Sequence, residues 1–176
     1  MKPIPLRAQL GLVAAGYAAV LATAMLLVYA RHLQYVNHPE DVAASGGMYA
    51  FGDWMLEIFI ACMLLVPTFS LALVIRKSEN LYTRYSGILL GLSLTAPICL
   101  AVLSIPAVNQ GTMVLGYVCL ERLACSPIVI VGLVVSRLLA RFDQAKRLTL
   151  YALLIEVFTL ALTAALFLFA ARTHRG

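Results

Sequence analysis

Five stretches of the chain, at about 9–30, 54–75, 87–107, 115–140 and 148–171, are almost continuously apolar. Each is long enough to matter, because a helix of about 20 apolar residues crosses the ~30 Å hydrocarbon core of a bilayer. Hydrocarbon offers no partner to a bare amide or carbonyl, so each run must satisfy its backbone internally as a helix. The runs lack the apolar–polar alternation that the strands of a membrane barrel show. A water-soluble alternative fails on composition. The chain is 62% hydrophobic and 12% charged, whereas soluble domains are about 45–50% apolar and about 25% charged. A soluble fold of 176 residues has too little interior to hide that much apolar surface. The sequence therefore predicts an all-α, polytopic membrane helix bundle with five transmembrane helices, read as a single domain over residues 1–176 with no soluble appendage.

The first run follows Lys2 and Arg7 and ends on Val28-Tyr29-Ala30, which resembles a small-residue cleavage site. Signal-peptide cores are about 7–15 residues long and this run is longer, so it is read as a retained helix. The positive charges give an orientation. Lys2, Arg7, Arg76, Lys77, Arg84, Arg137, Arg141, Lys146 and Arg147 fall on one side of the five-pass layout, and Arg31, Arg122, Arg172 and Arg175 on the other. Lysine and arginine accumulate on the cytoplasmic side, so the N-terminus is expected inside and the C-terminus outside. The two arginines of the tail run against that bias. The net charge of +5 is then explained by topology and by anionic lipid headgroups on the cytoplasmic side. Nucleic acid is not indicated, because no aromatic residues interleave a basic patch. Residues 31–53 form the longest connection, with His38-Pro39 and Ser45-Gly46-Gly47 as turn signals and Tyr35, Tyr49, Phe51 and Trp54 suited to the interface.

Helical periodicity sorts the few polar and small residues into faces. The second helix carries Asp53, Glu57, Ala61, Thr68 and Ala72, and the fourth Glu121, Cys125, Gly132 and Ser136. The fifth carries Thr149, Ala152, Glu156, Thr159 and Thr163. The third offers Gly87, Gly91 and Thr95, and the first Ala14, Ala18 and Ala22. Small residues let helices approach closely in lipid, so these stripes are expected to meet at the bundle centre. Counting back from Ala140 places Glu121 and Arg122 near the outer boundary, on the same side as Asp53 and Glu57. These four form the candidate polar cluster, in which Arg122 is expected to bond Glu57 or Asp53 or to reach the headgroups. Glu156, with no charged neighbour in sequence, is the candidate intramembrane acid: a proton or cation site, or a neutral carboxyl bonded to a neighbouring helix. Pro67, Pro97 and Pro127 are candidate kinks.

No set of residues assembles a known chemistry. The four cysteines, Cys62, Cys99, Cys119 and Cys125, lie outside any C-x-x-C pair and are expected to be reduced apolar fillers. The three histidines, His32, His38 and His174, sit in loops or the tail, so haem between helices is not supported and no metal or other cofactor is expected. There is neither a G-x-S-x-G elbow nor a phosphate-binding glycine loop. The expectation is a non-enzymatic accessory or scaffold subunit of a membrane assembly, with a membrane-protein partner or a second copy of itself. Compact loops without an N-x-[ST] sequon fit a bacterial inner membrane. An oligomeric, proton-linked transporter or channel using Glu57 and Glu156 is the first alternative, and a membrane thiol oxidoreductase the second.

Overall fold

A computed structural model of the chain describes residues 5–105 and 113–173. The described residues are helical almost throughout and include no strand. The helices are α1 (Leu6–Asn37), α2 (Pro39–Ala44), α3 (Gly46–Ile75), α4 (Glu79–Leu103), α5 (Met113–Ala124), α6 (Ser126–Leu139) and α7 (Asp143–Thr173). Helices α1, α3, α4 and α7 are each long and apolar enough to cross a membrane, and α5 with α6, bent by 45°, adds a fifth if the pair is counted as one span. The expected helical membrane bundle is thus present, with four to five candidate spans where five were expected. The chain divides into two compact units, Met1–Val74 and Ile75–Gly176.

Helices α1, α3, α4, α5 and α7 each start before their apolar runs, and the long connection expected at 31–53 is the largest difference. Only His38 and Ser45 break helix there. Pro39 opens α2 in its first turn, where its missing N–H is not needed and its fixed φ already suits a helix. Glu40 and Asp41 follow in that turn, where the helix dipole favours negative charge. Gly46 and Gly47 begin α3 rather than a flexible loop. The turn signals were real, but they mark helix starts. The connection expected at Pro106–Thr112 lies outside the described residues.

In the first unit α1 and α3 meet at three places. Tyr17 Oη and Thr68 Oγ1 share a hydrogen bond of 2.8 Å. A side chain at Gly16 would lie 3.5 Å from Pro67 Cβ, so this glycine, rather than the stripe Ala14, Ala18 and Ala22, faces α3. Near the ends of the two helices Arg31 bonds Asp53.

The second unit is built on polar and small residues. Its buried positions are Tyr82, Ser86, Ser93 and Ala96 on α4, Cys119 and Leu123 on α5, Ser126, Leu133 and Ser136 on α6, and Ala145, Thr149, Ala152, Glu156 and Thr159 on α7. Within each helix the spacing alternates between three and four or their sum, the period of a left-handed seam. Large apolar side chains point the other way, among them Ile88 and Ile98 on α4 and Leu154, Phe158 and Phe167 on α7. Three of the buried hydroxyls are accommodated locally: Ser86, Thr149 and Thr159 each donate to the carbonyl four residues back. That leaves the helix surfaces smooth, so α7 can close on α4 and α6. Tyr82 donates to the Ser136 carbonyl near the end of α6, and Tyr85 Oη lies 3.1 Å from Ser136 Oγ.

The expected stripe on α7 is the buried one, whereas the stripe expected on α4 is not. A Cβ at Gly87 or Gly91 would meet nothing within 4 Å. The prolines also divide. Pro67 and Pro97 lie inside continuous helices, while Pro127 is the second residue of α6, directly after the 45° bend.

Candidate functional site

Arg122, in the last turn of α5, is the centre of the second unit. Its Nε donates to Thr95 Oγ1 at 2.8 Å, and Nη1 reaches Ser126 Oγ at 3.4 Å. Nη2 donates to the Leu92 carbonyl at 3.2 Å and to Glu156 Oε1. A single guanidinium therefore ties α4, α5, α6 and α7 together. Its planar fork of donors can do this, whereas the point charge of a lysine cannot. The carboxylate of Glu156 is fully buried and Arg122 is 16% exposed.

Local sequence explains how the arginine finds these partners. The helix ends at Ala124 and restarts at Ser126 with Pro127, so the bend places Ser126 beside the last turn of α5. On α4, Pro97 cannot donate to the carbonyl of Ser93, which removes one ladder bond from the turn where Arg122 docks. Thr95 turns its hydroxyl back to the Leu92 carbonyl at 2.6 Å, so donor and acceptor converge on the arginine. Not all buried polar atoms are satisfied: Glu156 Oε2, Ser93 Oγ and Glu121 Oε1 have no hydrogen-bond partner.

The partner of Arg122 is not the one expected. Arg122 was expected to bond Glu57 or Asp53; it bonds Glu156, and Asp53 bonds Arg31. Glu156, which has no charged neighbour in sequence, has a cation against it. Glu57 is half-buried on α3 of the first unit, and Glu121 is half-buried on α5 of the second.

The first unit has its own polar cluster, and Arg31 is the residue that the sequence reading overlooked. Arg31 Nε lies 2.5 Å from Asp53 Oδ1, and Tyr35 Oη donates to Asp53 Oδ2. Arg31 also donates to the Tyr49 carbonyl at 2.7 Å and to Gln34 Oε1 at 2.8 Å. Its guanidinium stands 4.7 Å from the Tyr49 ring centre and 5.3 Å from that of Tyr35. Such cation–aromatic stacking adds about 0.5–1 kcal/mol where water has access. The cluster joins the last turns of α1 to the first turns of α3, across the short α2. Gly52 makes room for it: a Cβ there would come within 2.8 Å of Arg31 Nη2. The signal available in the sequence was the spacing of Tyr35, Tyr49 and Asp53 around Arg31, but assigning Arg31 to a loop hid it. Asp53→Asn is expected to lower stability by only about 1 kcal/mol, because both partners keep some access to water. Limited proteolysis should then cut faster between residues 38 and 46.

Cys62 is exposed, Cys99 and Cys125 are half-buried and Cys119 is buried, all as free thiols. No family model, curated protein or solved structure matches this chain. Its function is therefore read from its own residues. Among those described, no three of the histidine, cysteine, aspartate and glutamate side chains are grouped to hold a metal ion.

Proposed function

We propose that this is a multi-pass integral membrane protein that serves as an accessory or scaffold subunit of a larger membrane assembly. The observation that carries this reading is the poor coverage of α1. No more than 6% of its most apolar window is buried within its own unit, although it is 32 residues long. A groove of about 300 Å³ runs between α1 and α3, lined by Leu12, Val13, Gly16, Met63, Val66 and Pro67. A helix of this length with so little packing of its own suits a surface shared with another membrane helix. The partner is a second membrane protein or a second copy of the chain. The proposed setting is a bacterial inner membrane with the N-terminus cytoplasmic, where Arg76, Lys77, Arg141 and Arg147 meet anionic headgroups.

Purifying the tagged full chain in mild detergent tests this. A stable particle several times the 19.1 kDa chain mass after subtracting detergent is expected. A monodisperse single chain at all detergent concentrations refutes the assembly. Tags on each terminus, read by protease access in sealed vesicles, test the orientation.

One observation favours the proton-linked alternative. Glu156 keeps one carboxylate oxygen without a hydrogen-bond partner, buried beside a helix break. Broken helices with unpaired polar atoms are where transporters place their sites. Proteoliposomes that leak protons with the native chain and not with Glu156→Gln would establish that reading in place of the first.

A further inference from the structure

The hydrogen bond from Arg122 to Thr95 sets the alignment of α5 on α4. One turn onward from Thr95 along α4 is Cys99, and one turn back from Arg122 along α5 is Cys119. Residues three and four apart share a helix face, so between helices running in opposite directions these two cysteines fall opposite one another. The packing of α5 on α4 brings the two side chains to the same level of that seam. Cys119 is only 3% exposed, and no spacing rule links the two, because they are on different helices. A dithiol is therefore assembled by the fold from residues that look isolated in sequence. It stands one turn from the Arg122–Glu156 pair.

A groove of about 280 Å³ opens in the same region, lined by Leu100, Leu103, Leu120, Leu123, Leu166 and Phe167. Leu100 adjoins Cys99 and Leu120 adjoins Cys119 in sequence. The lining is mostly apolar, with Ser104 and Thr163 its polar members, and the volume falls just under the usual small-molecule range. It suits a flat, apolar ring that arrives from the hydrocarbon phase.

We propose that Cys99 and Cys119 form a redox-active dithiol site whose oxidant is a membrane-soluble quinone received in the adjoining leucine-lined groove. The two S–H bonds break and one S–S bond forms. The sulfurs surrender two electrons and two protons in total. The quinone takes up both electrons and both protons and leaves as the hydroquinone. The resulting disulfide would clamp α4 to α5, because it requires Cα atoms only about 4.4–6.8 Å apart. This site is independent of the assembly role and stands or falls without it.

The test uses the full chain in mild detergent, fully reduced, freed of reductant and kept without oxygen. Tetramethyl-1,4-benzoquinone is the probe, since every ring position is blocked against addition of a thiol. The expected result is one hydroquinone formed per chain, with an intact mass lower by two hydrogens. A non-reducing peptide map should join the segment holding Cys99 to the segment holding Cys119, and dithiothreitol should separate them. Cys99→Ser and Cys119→Ser should each abolish the reaction, whereas Cys62→Ser should leave it unchanged. If either serine variant fails to fold, the map of the unsubstituted chain still decides. Four reduced thiols after treatment overturn the proposal, as does a link that involves Cys62, Cys125 or a second chain.

Discussion

Arg122→Met and Glu156→Met are each expected to lower unfolding stability by about 3–5 kcal/mol, while the double substitution restores most of the loss. The asymmetry comes from desolvation. Inserting one charge at mid-bilayer costs about 2.5–3.5 kcal/mol on translocon scales. In the native chain Arg122 and Glu156 offset each other, and Thr95, Ser126 and the Leu92 carbonyl occupy the remaining donors. Either single change leaves the opposite charge buried and uncompensated. Removing both leaves an apolar gap of similar volume, to which neighbouring side chains can adjust. Glu156→Gln should fall between native and Glu156→Met, because an amide oxygen still accepts from the guanidinium. Reversible unfolding in mixed micelles, read by Tyr and Trp fluorescence, provides the numbers. If the double variant is as unstable as the worse single variant, the pair is not acting as a charge-neutral unit.

The second large effect is steric. Ala152→Phe should destabilise the second unit by about 1–3 kcal/mol or more, because a well-packed seam absorbs added volume only through off-rotamer side chains and backbone shifts. Ala152 has no exposed surface, and it lies between Thr149 and Glu156 on the face of α7 that meets α4 and α6. Leu154→Phe, two residues away on the outward face, should change stability by about 0.5 kcal/mol or less. Leu154 is 55% exposed, so a ring there enters lipid or detergent rather than a packed interface. Comparing the two variants by thermal aggregation in the same detergent isolates position from residue type. Equal melting temperatures would mean that the Ala152 face is not a tight seam.

The fold class was legible because it depends on length and apolarity, both of which a single sequence states outright. The buried face of α7 was legible for a similar reason. Thr149, Ala152, Glu156 and Thr159 stand out at helical spacing against leucines and phenylalanines. On α4 the same rule chose Gly87 and Gly91, which are open, over Tyr82, Ser86, Ser93 and Ala96, which are buried. A rule that looks for small residues does not select Tyr82, because of its size. Its hydroxyl, however, finds the Ser136 carbonyl only in the interior. The pairing of Arg122 was not legible at all. Which turn of one helix meets which turn of another depends on tertiary alignment, and no local pattern on α5 distinguishes Glu156 from Glu57. The same blindness hid Arg31 and Asp53, which are 22 residues apart along the chain, and the placement of Cys99 and Cys119 on one seam.

The second unit keeps six serine and threonine residues and the Arg122–Glu156 link within and turns many of its leucines and phenylalanines outward, so its polarity is the reverse of a water-soluble bundle. Stripped of amphiphile, such a bundle lowers its free energy in water not by uncoiling but by rolling each helix about its own axis and hiding the outer rings against neighbouring molecules. Far-ultraviolet dichroism would then barely change while the native arrangement was already gone. Retained helicity is therefore no proof of nativeness for this chain, and the guanidinium-centred junction is the feature by which a properly folded preparation should be judged.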